Sequence, residues 1–262
     1  DIMDAQVGQV PHSLRYVRCV GFNETFTDGR TFDKLSQLVD GTYQGIDAEG
    51  QYGNDPYPVL DGTINLTTGA YRDTYDALMT HYPKLKLNIA KWWIRFEDPE
   101  VKRICVENWD KDGDGELSME EAASVSSMGT MIAGGSFKSL KELGLFGKIS
   151  MSKGAFQNIT VKDSIVIPEG CTEVSTVAFE KATVRTIELP STISYLWGSC
   201  FHEACIDNLI FHGTQPPRIY GYWEFMEAKI KHIYVPDESV EAYRLANLAD
   251  WLEFEPLSKY HP

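Results

Sequence analysis

A repeat of about 22 residues runs through the second half of the chain and restricts the folds that this half can adopt. Phenylalanine recurs with this period at Phe156, Phe179, Phe201 and Phe225. Self-similarity at such a period is typical of stacked-repeat architectures, in which one unit cannot bury its apolar face alone. Short apolar-x-apolar segments keep the same period, at LGL 143–145, IVI 165–167, IEL 187–189, LIF 209–211 and IYV 233–235.

Each of these segments is predicted to be a short β-strand. Because side chains alternate across a strand, the outer two would point into the core and the middle one would point outward. Pro168, Pro190 and Pro236 each follow a segment directly and would end the strand, since proline cannot donate to a β-ladder. The sequence therefore predicts a solenoid of short parallel strands that is stabilised by stacking between repeats.

The repeats also carry a resemblance to a known family. SIVIPEGCTEVSTVAFEKAT 164–183 and TIELPSTISYLWGSCFHEAC 186–205 resemble the leucine-rich repeats of BspA-type surface proteins, known from Bacteroidetes-type bacteria. The stretches at 209–225 and 233–257 are similar to the closing units and the C-terminal cap of that family. The resemblance covers about residues 135–258. It departs at Trp197, where the family usually has glycine, and at a two-residue lengthening after Leu209 that is expected to bulge one turn.

The segment DKDGDGELSMEE 110–121 matches the EF-hand calcium loop. That loop places oxygen ligands at positions 1, 3, 5, 7, 9 and 12 and a glycine at position 6, which is Gly115 here. Leu117 is expected to be an inward apolar anchor. The alternative is an acidic surface turn that binds no ion. The predicted Ca²⁺ ligands are Asp110, Asp112, Asp114, the backbone carbonyl of Glu116, Ser118 directly or through a water, and both carboxylate oxygens of Glu121.

We expect this calcium loop to have a structural role. Asp98 is a predicted N-cap and Pro99 a predicted first residue of the helix before the loop. Sensor EF-hands usually come in pairs, and the sequence holds no second loop. BspA-like proteins often carry a similar single hand just before their repeats, so the resemblance implies a structural role as well. A calcium-dependent switch is the alternative.

The stretch CFHEAC 200–205 could indicate a zinc site. In the repeat register, however, Cys205 aligns with Thr160 and Thr183, and Cys200 aligns with alanines. No second ligand pair lies at zinc spacing. We therefore expect the two cysteines to pack within the repeats, as free cysteines usually do.

The first 97 residues predict a small α+β unit with mixed strand pairing. Of the neighbouring Trp92 and Trp93, one is expected in the core, because adjacent strand residues point to opposite faces. Strands are predicted at 13–22, 58–69 and 84–96, helices at 31–40 and 70–83, and a polar loop at 45–58. The chain would then comprise this α+β unit at 1–97, an EF-hand-like helix-loop-helix at 98–128, and a leucine-rich-repeat domain with its cap at 129–262.

Charge and hydropathy restrict the partners. The net charge is −14 and no dense cluster of Lys and Arg is present, which argues against nucleic-acid binding. No apolar run approaches the roughly 18–20 residues of a transmembrane helix. The first residues do not resemble a signal peptide, so either the protein is cytoplasmic or a leader has been removed. The resemblance implies an extracellular or outer-membrane-associated protein at the cell surface, and a removed leader would allow a lipid anchor.

We therefore predict a secreted or cell-surface adhesion protein that binds a protein or glycan ligand through its repeat face. An enzyme is not expected, since no nucleophile elbow, phosphate loop or metalloprotease helix is present. The alternative is a glycan-capture or glycan-processing component with its site in the N-terminal unit, where a glycosidase would need two carboxylates about 5–10 Å apart. The candidate contact residues are the middle residues Gly144, Val166, Glu188, Ile210 and Tyr234, with Tyr220, Tyr222 and Trp223 near the bulged turn.

Overall fold

A computed structural model describes residues 20–26, 61–81 and 85–262. The chain divides into two compact units, Asp1–Ile94 and Arg95–Pro262. The described residues combine helices with sheets of parallel strands. The helix predicted at 31–40 and the polar loop at 45–58 lie outside the described residues. None of the described helices is long and apolar enough to span a membrane.

The described part of the first unit is a three-stranded sheet with one helix. Its elements are β1 (Val20–Phe26), β2 (Asp61–Tyr71), α1 (Arg72–His81) and β3 (Leu85–Trp93). The strand order is β1-β2-β3, and both neighbouring pairs are parallel. We predicted mixed pairing, and for these strands that was wrong. Helix α1 lies in the crossover connection between β2 and β3. Such a connection brings the chain back to the end of the sheet at which β2 begins, so β3 runs parallel to β2.

Both tryptophans at the end of β3 pack within this unit. Trp93 is buried and meets the ring of Tyr71 edge-on, with 5.4 Å between ring centroids. Trp92 is half-buried, and the Arg72 guanidinium lies 4.9 Å from its ring centroid. The prediction that one of the two belongs to the core is confirmed. Gly69 lies under Trp93, where a Cβ would come within 2.3 Å of the indole nitrogen.

The second unit begins with two helices, α2 (Pro99–Trp109) and α3 (Met119–Ala123), which flank the acidic loop. It continues with two parallel sheets and a short helix. The larger sheet has the order β12-β11-β9-β7-β5-β4 and the smaller has the order β10-β8-β6. Their elements are β4 (Ser136–Phe137), β5 (Thr160–Val166), β6 (Glu173–Val174), β7 (Thr183–Leu189), β8 (Tyr195–Trp197), β9 (Cys205–Phe211), β10 (Arg218–Tyr220), β11 (Lys229–Val235), α4 (Val240–Ala246) and β12 (Phe254–Pro256).

The strand register follows the sequence repeat. Ile165 pairs with Ile187, Ile187 pairs with Leu209, and Leu209 pairs with Ile233, so the first residues of four segments form one row across the sheet. All four are buried. The predicted inward position of these residues is therefore confirmed. Each repeat adds one strand to each sheet in the centre of the unit.

The first predicted segment, LGL 143–145, is not a strand. It lies in a 3-10 helix, Lys141–Leu145, and the residue that bridges to Ile165 is Leu140. Strand β4 lies a few residues earlier and pairs with the start of β5. The apolar pattern was correct, but three residues cannot distinguish a 3-10 turn from a strand. Gly144 packs against Val166 here, where a Cβ would come within 2.7 Å of Val166 Cγ1.

A column of stacked phenylalanines forms the centre of the repeats. The ring centroids of Phe156 and Phe179 are 4.8 Å apart, and those of Phe179 and Phe201 are 5.3 Å apart. Phe225 continues the column at 5.3 Å from Phe201. The planes are nearly parallel, with interplanar angles of 3°, 3° and 10°. This column confirms the predicted one phenylalanine layer per repeat.

Candidate functional site

The acidic loop brings three of the predicted ligands together. Carboxylate oxygens of Asp110, Asp112 and Asp114 all lie within 4.8 Å of one another. Asp110 accepts hydrogen bonds from the backbone amides of Gly113 at 2.7 Å and Gly115 at 2.8 Å. Gly115 has φ +78°, a conformation that favours glycine at the sixth position. The loop backbone is thus folded around the carboxylate at the first position.

The other predicted ligands lie where helix α3 begins. The Ser118 hydroxyl caps α3 and donates to Glu121 Oε2 at 2.8 Å, while Glu121 Oε1 accepts from the Lys111 amide at 2.8 Å. Burial alone would raise the pKa of Glu121, but hydrogen bonds from Ser118 and Lys111 bring it below its usual value. The Glu116 side chain pairs with Lys102 at 2.6 Å, which leaves its backbone carbonyl as the group that suits an ion. Leu117 is fully buried, as predicted.

Both helices of this segment are fixed to the first repeat. Asp98 caps α2 as predicted, and its second carboxylate oxygen accepts from the Lys138 amide at 2.6 Å. At the other end, the Gly147 amide donates to the Ala122 carbonyl at 3.3 Å. A Cβ on Gly147 would come within 2.2 Å of the Ala123 carbonyl oxygen. The loop is therefore joined to the repeats at both of its helices.

Side-chain contacts also join helix α2 and the residues before it to the first repeat. The Trp109 ring at the end of α2 meets the Phe146 ring edge-on at 5.4 Å. The Glu142 carboxylate accepts from the Glu97 amide at 3.0 Å, and burial raises the pKa of Glu142. Glu97 in turn pairs with Lys141. Residues just before α2 are thus bound to the 3-10 helix of the first repeat.

The predicted row of outward residues is only partly accessible. Val166 and Glu188 are half-buried, and Glu188 pairs with His212 at 3.0 Å. Ile210 and Tyr234 are 1% and 7% exposed, so the prediction that these two residues are accessible is wrong.

The C-terminal segment covers Tyr234. The Tyr260 ring lies 5.2 Å from that of Tyr234 on β11, and its hydroxyl lies 3.5 Å from that of Thr186 on β7. The segment therefore passes over the middle of the sheet, where the row lies. The sequence pattern of the strands does not predict that the C-terminal segment packs over them.

The residues near the bulged turn are exposed and adjacent. Tyr222 is 81% exposed and Trp223 is 67% exposed. Trp197 and Tyr220, on neighbouring strands β8 and β10, are also exposed, and their ring centroids are 5.3 Å apart. We call Trp197, Tyr220, Tyr222 and Trp223 the aromatic patch.

The backbone under the aromatic patch is closely packed. A Cβ on Gly221 would come within 2.7 Å of the Gly198 Cα, so these two turns touch through their main chains. The Ser199 amide donates to the Tyr222 carbonyl at 3.1 Å. Trp223 adopts φ +67°, a strained conformation for a bulky residue that persists only where the surroundings impose it. The lengthened repeat therefore presents its aromatic rings on a defined turn.

Trp197 is the member of the patch that we did not predict as a site residue. Its indole nitrogen donates to Glu173 Oε2 at 2.8 Å, which fixes the ring on the surface of the smaller sheet. The signal was present, because tryptophan replaces the glycine that is usual at this position of the resembled family. A departure from a repeat consensus to a large aromatic residue marks a candidate contact residue.

The remaining sequence expectations concern cysteines and a glycan site. Cys105, Cys171 and Cys200 are buried, whereas Cys205 is exposed, so the expected packing of Cys205 within the repeats does not hold. Cys205 lies at the start of β9 beside Thr183 and Lys229, and this row faces outward. Most of the aspartates and glutamates of residues 1–97, among which a glycosidase pair would be sought, lie outside the described part of the chain.

Comparison with known proteins gives a match for the repeats alone. No curated protein and no solved structure matches the chain. A family model described as BspA type leucine-rich repeat region matches in six copies, one more than the five segments counted in the sequence. Repeat regions of this type are typically binding regions of surface or secreted proteins rather than enzymes. Residues 136–247 therefore match the model of BspA-type leucine-rich repeats, the family that the sequence resembles.

Proposed function

We propose that this protein is secreted or held at the cell surface and binds another protein through the aromatic patch. The observation that carries the proposal is the exposure of four aromatic residues, of which Trp197 and Tyr220 have ring centroids 5.3 Å apart, while Tyr222 and Trp223 lie on the turn that follows Tyr220. Tryptophan and tyrosine are enriched at protein interfaces and among the residues that dominate binding energy. Large contiguous apolar surfaces that remain exposed commonly mark interaction sites.

The support beneath the patch strengthens this proposal. Side chains that must be ordered on binding reduce the affinity, and preorganised ones avoid this cost. Here the Trp197 ring is held by Glu173, and the turn bearing Tyr222 is hydrogen-bonded to Ser199. The patch thus combines large aromatic area with limited freedom. These features support a binding role for the repeat region.

Truncation of the patch is expected to weaken partner binding. Wild-type protein would be screened on an array of extracellular proteins and on a glycan array, with calcium present. We expect signals on the protein array, and Trp223→Ala is expected to weaken each by about tenfold or more, as truncation of a central interface aromatic does.

Trp251→Ala is the matched control, because Trp251 is 49% exposed and lies outside the patch. Its binding should equal that of the wild type. Equal binding by Trp223→Ala would contradict the assignment of the patch. Signals confined to the glycan array would contradict a protein partner.

We further propose that the acidic loop binds one Ca²⁺, that α2, the loop and α3 act as an EF-hand-like structural element, and that the stacked repeats form a solenoid. Asp110, Asp112, Asp114, the Glu116 carbonyl, Ser118 and Glu121 would hold the ion. Seven oxygen ligands with a bidentate glutamate favour Ca²⁺ over Mg²⁺. The contacts of Asp98 with Lys138 and of Trp109 with Phe146 support a structural role, because they join the loop to the first repeat.

Calcium removal is expected to lower the melting temperature with little change in shape. An ion present at 100 times its Kd stabilises the folded state by about 2.7 kcal/mol. Thermal melting with calcium and with EGTA would measure this loss, and small-angle scattering would report the shape. Asp112→Asn should melt like the EGTA sample, whereas Asp250→Asn, an exposed aspartate outside the loop, should respond like the wild type. A large change of shape at constant fold would instead indicate a switch.

A further inference from the structure

We infer that Glu180, His202 and Glu203 form a second cation site, selective for zinc and similar transition metals, on the turns that follow the phenylalanine column. One possible ligand atom from each residue lies within 4.8 Å of the others. All three side chains are partly accessible, with relative exposures of 18%, 22% and 38%. An ion could therefore reach them from solvent. The site shares no residue with the calcium loop or the aromatic patch.

The distances in this cluster suit a tetrahedral ion. His202 Nδ1 lies 3.4 Å from Glu180 Oε1 and 3.5 Å from Glu203 Oε1. Zinc bonds of about 2.0–2.2 Å at tetrahedral angles place two ligand atoms about 3.3–3.6 Å apart. Each of the two carboxylates thus lies at the distance from the imidazole nitrogen that two ligands of one zinc ion would have. Solvent would complete the sphere.

The repeat itself brings the ligands together. Glu180 and His202 each follow a phenylalanine of the column, so they occupy the same position in successive repeats. The Lys181 amide donates to the His202 carbonyl at 2.9 Å, which holds these two turns side by side. Glu203, which follows His202 on the same turn, adopts φ +54° and thereby joins the cluster. Glu180 of the preceding repeat therefore supplies a ligand that the CFHEAC stretch does not contain.

The surroundings of the cluster favour a metal in two further ways. Gln157, at the same position one repeat earlier, donates to the second oxygen of Glu180. Hydrogen bonds of this kind orient metal-bound carboxylates. Two carboxylates also balance the charge of a divalent ion when the imidazole is neutral.

The donor set selects the class of metal. Imidazole suits zinc, copper, iron and nickel, while Ca²⁺ takes six to eight oxygen ligands. The Lys181 ammonium, 3.6 Å from Glu203 Oε1, occupies part of this negative field and would have to move aside. Its side chain is about half exposed, so it has room to do so. Cys200 is fully buried beside the phenylalanine column and does not join the site.

Zinc titration of the full chain by calorimetry, in excess calcium, tests the inference. We expect one zinc site whose affinity falls more than tenfold in His202→Gln and in Glu180→Gln. Gln157→Ala should weaken binding about tenfold, the effect of losing an outer-shell hydrogen bond. Lys181→Met should strengthen zinc binding, because it removes the ammonium group that competes for Glu203.

The matched control is His232→Gln. His232 also pairs with a glutamate, Glu255, at 2.8 Å, but it belongs to no three-ligand group among the described residues. The affinity of the His232→Gln variant for zinc should equal that of the wild type. If His202→Gln bound zinc as tightly as His232→Gln, the assignment would be overturned. Melting curves without zinc would establish that each variant is folded.

Cobalt substitution separates this site from a cysteine site. Co²⁺ bound to one imidazole and two carboxylates should show visible absorption without a sulfur-to-metal charge-transfer band. That spectrum should disappear in Glu180→Gln. A charge-transfer band that is lost in Cys205→Ser would assign the metal to the CFHEAC cysteines and overturn the inference.

Discussion

Phe179→Ala is expected to reduce the free energy of unfolding by about 3–5 kcal/mol, the usual cost of truncating a buried phenylalanine. Phe179 is fully buried and stacks on both Phe156 and Phe201, so its removal leaves a cavity in the middle of the column. The neighbouring rings are held by their own repeats and cannot close the gap. Urea unfolding followed by far-UV circular dichroism would measure the loss.

Two controls sharpen this prediction. Tyr222→Ala removes an aromatic ring of similar size that is 81% exposed, and its stability should change by less than about 0.5 kcal/mol. Phe179→Leu keeps most of the apolar volume and should cost less than the alanine variant. A loss below about 1 kcal/mol for Phe179→Ala would show that the column does not stabilise the repeats.

Gly147→Ala is expected to destabilise the second unit by about 1–3 kcal/mol, the usual cost of inserting a methyl group into a closely packed site. The added Cβ would come within 2.2 Å of the Ala123 carbonyl oxygen, which belongs to the backbone at the end of α3. Backbone cannot rotate away as a side chain can, so α3 and the first repeat would be forced apart. The same urea experiment would measure the effect.

Gly198→Ala is the matched control for this substitution. Its nearest atom would be the Tyr222 carbonyl oxygen at 3.4 Å, an ordinary contact distance. Its stability should therefore stay close to that of the wild type. If Gly147→Ala were equally stable, the close approach of α3 to the first repeat would be contradicted.

Periodic features of the sequence predicted the periodic features of the fold. The rows containing Ile187 and Phe179 were assigned from spacing alone, since one period must place equivalent residues side by side in a stack. In the acidic loop, the left-handed conformation of Gly115 and the closeness of the three aspartates could also be predicted, because the pattern fixes their positions relative to one another. In both cases the physical constraint acts within one repeat or one loop, where sequence distance and spatial distance agree.

The predictions that failed depend on contacts between distant parts of the chain. Tyr234 was expected to face solvent, but Tyr260 from the C-terminal segment covers it. The LGL segment has the apolar pattern of a strand, yet it forms a 3-10 helix where the stack begins. In the same way, Glu180 of the previous repeat approaches His202, a contact that the sequence neighbours of His202 do not reveal. Alternation within a segment carries no information on these contacts.

The larger sheet ends in very short strands on both sides. Strand β4 has two residues and β12 has three, whereas the four strands between them have seven each. A long exposed edge would offer a row of unpaired amides and carbonyls to another molecule, and short edge strands remove most of that template. Parallel stacking could in principle continue from one molecule into the next. The shortened edges oppose such polymerisation, which would allow a chain of this design to be displayed at high local density without forming fibres.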